Sequence, residues 1–167
     1  MFIRTKNISG KNYAYLVENM WKKGSKQRVK EYLGKVIELR LIEEGKVNID
    51  AENFKESVMK LIKHNLISHG FIGMNEIYQQ ENILINLDTS KITYKNKPAV
   101  LKMNEGFLCN FTLEELSKID PKQMTPMQLA SALVEAGLKI NEEEFVKLHE
   151  KIPKEIDDPH TIEIVNY

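Results

Sequence analysis

The chain has 167 residues, of which 42% are apolar and 29% charged, and its formal net charge is zero. This composition is typical of a soluble globular protein with one domain or two small ones. The single cysteine excludes an internal disulfide framework and favours a reducing compartment. The polar start argues against a signal peptide, and the lack of a run of about 18 apolar residues argues against a membrane helix. We therefore expect a cytoplasmic protein without a membrane partner.

Charge is distributed unevenly along the chain. Residues 1–40 hold ten Lys/Arg and three Asp/Glu, residues 41–140 hold eleven and thirteen, and residues 141–167 hold three and eight. A basic amino-terminal end and an acidic carboxyl-terminal end indicate an anionic partner at the basic end alone. The alternative is that these lysines are solvated residues of exposed strands, where they also prevent edge-to-edge aggregation.

Three strands are predicted in the basic end, because its segments are rich in Tyr, Val, Ile and Trp and are separated by glycine-containing turns. They span residues 2–6, 12–21 and 26–36. The short connections favour an antiparallel meander. Strand alternation places Lys26, Arg28 and Lys30 together, and therefore predicts one strongly cationic face and an opposite face that packs on a helix.

The helix predicted to cover the meander spans about residues 50–68, with Asp50 as its N-cap and Gly70 after its end. Its apolar residues recur at helical spacing. They are Phe54, Val58, Leu61, Ile62 and Leu66.

The second half of the chain predicts short strands followed by helices. Residues 82–111 contain turn sequences that divide them into three or four strands. Capping residues then predict three helices. The first runs over about residues 112–119 and begins at Thr112. The second begins at Thr125, with Gln128 as its capping partner, and ends at Gly137. The third begins at Asn141, with Glu144 as its capping partner, and runs to about residue 152. The alternating residues 160–167 predict a closing strand.

These elements together predict an α+β fold. We expect an amino-terminal three-stranded antiparallel meander with a helix, a second small antiparallel sheet and a carboxyl-terminal helical region. The predicted domains are residues 1–70, which are basic, and residues 71–167, which end in an acidic helical tail.

The pattern of reactive side chains does not favour an enzyme. The four histidines are not spaced three or four residues apart, as a metal-binding pair on a helix would be. Cys109 lies in an apolar segment and is interpreted as an inert core residue. Glycine-rich phosphate loops and a G-x-S-x-G nucleophile motif do not occur. We expect no catalytic residue, no metal site and no cofactor.

A nucleic acid is the partner that the basic meander favours. An antiparallel ribbon fits the DNA major groove, its cations meet phosphates, and its aromatic rings stack on bases or sugars. Arg4 and Arg28 are candidates for a bidentate contact with guanine. Tyr13, Tyr15 and Trp21 are candidates for stacking, and the alternative for these aromatic residues is packing against the helix predicted over 50–68, which is favoured for Tyr15 and Trp21. The predicted binding residues are Arg4, Lys6, Lys11, Tyr13, Lys22, Lys23, Lys26, Arg28 and Lys30.

The meander also resembles a known family. The segments FIRTK and GKNYAYLVENMWKKGSKQRVKEYLGKV resemble the amino-terminal segment of transposases of the IS4 superfamily, especially the IS1634-like group. The matching elements, in order, are Ile3-Arg4, Tyr13 to Glu18, Lys22 to Lys26, Gln27-Arg28-Val29 and Tyr32 to Lys35. This resemblance covers about a fifth of the chain and implies a DNA-binding role.

The resemblance does not extend to catalysis. Such transposases continue into a large RNase H-like domain with a metal-binding Asp-Asp-Glu triad. The remaining residues are too few for the usual version of that domain, and no triad is assigned on them.

Two functions therefore stay open. The first is a small, non-catalytic DNA- or RNA-binding protein, regulatory or derived from a transposon. The second is a protein–protein interaction or self-assembly module, in which the basic head pairs with the acidic carboxyl-terminal helices of its own or another chain. A homo-oligomer, such as a dimer, is compatible with both.

Overall fold

The computed structural model describes residues 1–21, 24 and 26–152. Within them the chain forms nine strands and four helices, which confirms the α+β prediction. The strands are β1 (Phe2–Ile8), β2 (Lys11–Met20), β3 (Lys26–Glu38), β4 (Ile72–Met74), β5 (Ile77–Gln80), β6 (Ile83–Asn86), β7 (Lys91–Tyr94), β8 (Lys97–Met103) and β9 (Gly106–Leu108). The helices are α1 (Phe54–Ser68), α2 (Asn110–Ser117), α3 (Pro126–Glu135) and α4 (Glu142–Glu150), with a 3-10 turn at Pro121–Gln123. The predicted strand at 160–167 lies outside the described residues.

A single mixed sheet connects all nine strands. Its order is β1-β2-β3-β8-β7-β6-β5-β4, and β9 pairs with β8. The predicted meander β1–β3 is antiparallel, as expected, and β3 joins β8 in parallel over residues 35–38. The strands predicted as a second sheet therefore continue the first one through β8, and residues on both sides of the predicted boundary at residue 70 share one sheet.

The meander extends beyond the rest of the sheet. Only residues 35–38 of β3 pair with β8. Residues 26–34 of that strand therefore pair with β2 on one edge and with no strand of the described residues on the other edge. β1 lies at the edge of the sheet, and most of its residues are exposed. Residues 26–32 of β3, which do not pair with β8, are all exposed.

Helix α1 covers the main core rather than the meander. Its apolar face packs with strands β5–β8 and with the carboxyl-terminal helices. The apolar side of the meander instead packs on β8, β9 and the start of α2, in a small core made of Ala14, Leu16, Leu33, Val100 and Cys109. The expectation that the helix covers the meander is therefore wrong. The parallel pairing of β3 with β8 places β8 and β9, and not α1, against the apolar side of the meander.

The helix starts agree with the predicted capping residues in two cases of four. Thr125 and Gln128 form the predicted capping box of α3, and the Asn141 side chain accepts a hydrogen bond from Glu144 N at 2.8 Å. Helix α1 is capped by Asn53, not Asp50. Helix α2 begins two residues earlier than predicted, and Thr112 is its third residue, where its hydroxyl accepts a hydrogen bond from Cys109 N.

Cys109 is a core residue, as predicted, and is only 1% exposed. Burial raises the pKa of its thiol above the ordinary value. The thiolate is the reactive form, so we expect a thiol reagent at neutral pH to label the folded protein far more slowly than the denatured chain. Absorbance of the released thionitrobenzoate measures both rates, and rapid labelling of the folded protein would contradict this packing.

Candidate nucleic-acid interface

Strand register assigns the side chains of the meander to two faces. Residues directly opposite each other in antiparallel strands share a face. Three rows cross the strands on the face that carries the tyrosines, which we call the tyrosine face. They are Arg4–Tyr15–Tyr32, Lys6–Tyr13–Lys35 and Phe2–Val17–Val29.

The other face, which we call the opposite face, carries the cations of β3 that the sequence favoured. Register pairs Arg28 with Glu18 and Lys26 with Met20. The Lys30 ammonium lies 3.3 Å from the Glu18 carboxylate. The predicted binding cations are therefore divided between the two faces, since Arg4 and Lys6 lie on the tyrosine face while Lys26 and Arg28 lie on the opposite one.

Charge favours the tyrosine face as the surface for a polyanion. Its cations are Arg4, Lys6, Lys11 and Lys35, and register assigns no carboxylate to this face within strands β1–β3 as far as the structure describes them. Glu18 and Glu31 both belong to the opposite face, where they reduce the effect of its cations. The predicted residues Lys22 and Lys23 lie outside the described residues.

Three tyrosines form the centre of the tyrosine face. The ring centroids of Tyr15 and Tyr32 lie 5.5 Å apart, and those of Tyr13 and Tyr32 lie 6.3 Å apart. Burial, and then the neighbouring Tyr13 and Tyr15, raise the pKa of Tyr32, so its hydroxyl stays protonated at neutral pH. Tyr32 keeps 48% of its surface exposed. The cluster is therefore an aromatic surface between cations.

The same surface continues onto β7. The Lys35 ammonium lies 4.9 Å from the centroid of the Tyr94 ring, and the Lys95 ammonium lies 5.4 Å from it. Both distances are within the range of a cation–π interaction. Lys95 lies in the turn between β7 and β8, where it and Asn96 have positive φ angles. Sequence reasoning missed Tyr32, Lys35, Tyr94 and Lys95 as site residues.

A shallow hollow lies on the tyrosine face beside the aromatic cluster. Its volume is about 410 Å³. Arg4 on β1 donates a hydrogen bond from Nη1 to Oε1 of Gln27 on β3 at 2.6 Å, across the intervening strand β2. The hollow is lined by Arg4, Thr5, Lys6, Tyr15, Val17, Gln27 and Val29.

Trp21 directly follows β2 and is 80% exposed. It is the one tryptophan of the chain. Its fluorescence therefore reports on this end of the meander.

Other kinds of site find little support in the described part of the chain. No group of three or more His, Cys, Asp or Glu side chains there is arranged to hold a metal ion. No helix in residues 1–21, 24 and 26–152 is long and apolar enough to cross a membrane. Comparisons of the chain with protein-family models, with curated proteins and with solved structures give no match.

Proposed function

We propose that this chain is a small, non-catalytic nucleic-acid-binding protein and that it binds through the tyrosine face. The observation that carries the proposal is the combination of four cations, three clustered tyrosine rings and no assigned carboxylate on one face of β1–β3, as far as the structure describes these strands. Lysine and arginine side chains bind phosphates, and their binding releases counterions. The resemblance of this segment to transposase amino-terminal segments supports the same placement.

The alternative function is assembly through pairing of the basic head with the acidic tail of the same or another chain. The acidic helix α4 forms local ion pairs, since the Lys147 ammonium lies 2.9 Å from Glu144. Lys151, just after α4, lies 3.4 Å from Asp50. Among the ion pairs of the described residues, none joins α4 to β1–β3.

Two matched triple variants test the proposal. One replaces Arg4, Lys6 and Lys35 with glutamine on the tyrosine face, and the other replaces Lys26, Arg28 and Lys30 with glutamine. Each removes three positive charges, so non-specific electrostatics affect both equally. We expect the first variant to lose at least about tenfold in affinity. We also expect the slope of log K against log[salt] to become shallower by about 2, because each of the three lost phosphate contacts contributes about 0.7 to this slope on a single strand.

Fluorescence anisotropy of a labelled oligonucleotide at two salt concentrations measures both effects, and Trp21 emission provides a label-free check. Thermal unfolding of each variant is the control for correct folding. Failure of the unmodified protein to bind DNA or RNA at low salt would refute the proposal. Equal losses in the two variants would refute the assignment to the tyrosine face.

A further inference from the structure

We infer that the tyrosine face binds single-stranded nucleic acid, with one unpaired base held in the hollow beside Tyr15. This inference rests on the proposed function and specifies its ligand. It follows from two features that paired bases do not use. One is an aromatic cluster in which Tyr32 is exposed and Tyr13 and Tyr15 are half-buried, and the other is a hollow lined partly by apolar side chains.

The aromatic cluster provides stacking surface. The rings of Tyr15 and Tyr32 are tilted by 56° and those of Tyr13 and Tyr32 by 39°, so neither pair lies face to face. Unpaired bases stack on aromatic side chains with little dependence on sequence, because every base has a π-face. The bases of a duplex are already stacked on one another, and a duplex presents mainly its phosphates and groove edges to such a surface.

The hollow has the chemistry of a base-binding subsite. Val17 and Val29 contribute apolar side chains to its lining, and Tyr15 contributes an aromatic ring. Arg4 and Gln27 belong to its polar lining, with Thr5 and Lys6, and are joined by the 2.6 Å hydrogen bond. A guanidinium has five N–H donors and a glutamine amide has two, so this pair keeps donors for the acceptor atoms of a base edge.

The cations are placed where a strand backbone would run. Lys6 and Lys35 lie at the two ends of the row whose middle residue is Tyr13. Lys95 continues the positive charge beyond Lys35 towards β7. Positive charge therefore flanks the aromatic residues on both sides. A groove of cations beside stacking residues is the general arrangement by which proteins bind single strands.

The test compares a single-stranded DNA of mixed sequence, the RNA of the same sequence and the corresponding DNA duplex, in anisotropy titrations with the full chain. We expect a single strand to bind at least about tenfold more tightly than the duplex. Tyr32→Ala is expected to weaken single-strand binding about tenfold, from the loss of one stacked base, and to leave duplex binding nearly unchanged. Tyr32→Phe is the matched control, because it keeps the ring and is expected to bind like the unmodified protein.

A second variant tests the hollow. Gln27→Met keeps the length of the side chain and removes its hydrogen-bonding groups without changing charge. We expect a severalfold loss of single-strand affinity and no loss for the duplex.

The outcomes separate the two proposals. If neither single strand nor duplex binds at low salt, the proposed function fails and the inference fails with it. If the duplex binds as tightly as the single strands, and Tyr32→Ala and Gln27→Met bind like the unmodified protein, nucleic-acid binding stands and the inference is overturned.

Discussion

Replacing Gly34 with alanine is expected to lower the free energy of unfolding by about 3 kcal/mol, near the upper end of single substitutions. Gly34 lies in β3 with a φ of +129°, a region that L side chains rarely adopt. An added Cβ would overlap the Pro98 carbonyl and lie 2.8 Å from Ala99 N. Since Pro98 and Ala99 belong to β8, the substitution pushes apart the two strands that join the meander to the rest of the sheet.

Gly10→Ala is the matched control. Gly10 also has a positive φ, +78°, but a Cβ there meets no atom within 4 Å. It therefore carries the conformational cost without the clash, and we expect a loss of about 1 kcal/mol. Urea unfolding followed by circular dichroism measures both variants, and equal losses would contradict the close approach of β3 to β8.

The Gly34 variant also has a local readout. Cys109 shares the small core under the meander with Ala14, Leu16 and Leu33. Loosening of β3 exposes this core, so we expect the thiol of Gly34→Ala to be labelled faster than that of Gly10→Ala under native conditions.

Replacing Asn65 with alanine is expected to cost about 2 kcal/mol, because it leaves backbone polar groups without their partners. Asn65 is 3% exposed. Its side-chain amide donates to the carbonyls of Leu61 and Lys139 at 3.0 and 3.1 Å, and its oxygen accepts from Lys139 N at 2.9 Å. These bonds tie helix α1 to the segment between α3 and α4.

Asn141→Ala is the comparison for Asn65→Ala. Asn141 is exposed, and its side chain accepts a single hydrogen bond, as the N-cap of α4. We expect it to cost about 1 kcal/mol, as N-cap losses do. Chemical unfolding measures both, and a larger loss in Asn141→Ala would show that the buried amide does not hold the two parts of the chain together.

The sequence predicted those strands and helix ends that depend on neighbouring residues, such as turns and caps. Alternation and glycine turns predicted the three strands of the meander, and Thr125 with Gln128 predicted the start of α3. The short strands β4 and β5 were missed. Ile72 and Met74 of β4 are 83% and 79% exposed, so β4 shows no alternation between buried and exposed residues that would mark a strand.

The composition of the candidate site was decided by tertiary structure. Regular alternation groups Tyr32 with Lys26, Arg28 and Lys30, but the register shifts by one residue between Val29 and Glu31, which moves Tyr32 to the tyrosine face. A second shift between Tyr32 and Gly34 returns Lys35 to that face.

The sequence by itself determined that the amino-terminal end is a basic, aromatic-rich antiparallel meander. Only the folded chain decided which of its two faces combines cations with tyrosines, and that Tyr94 and Lys95 extend it. The physical reason is that one bulged residue reverses the facing of each side chain after it. Contacts between β3 and β7 depend on pairing of distant segments, which local alternation does not encode.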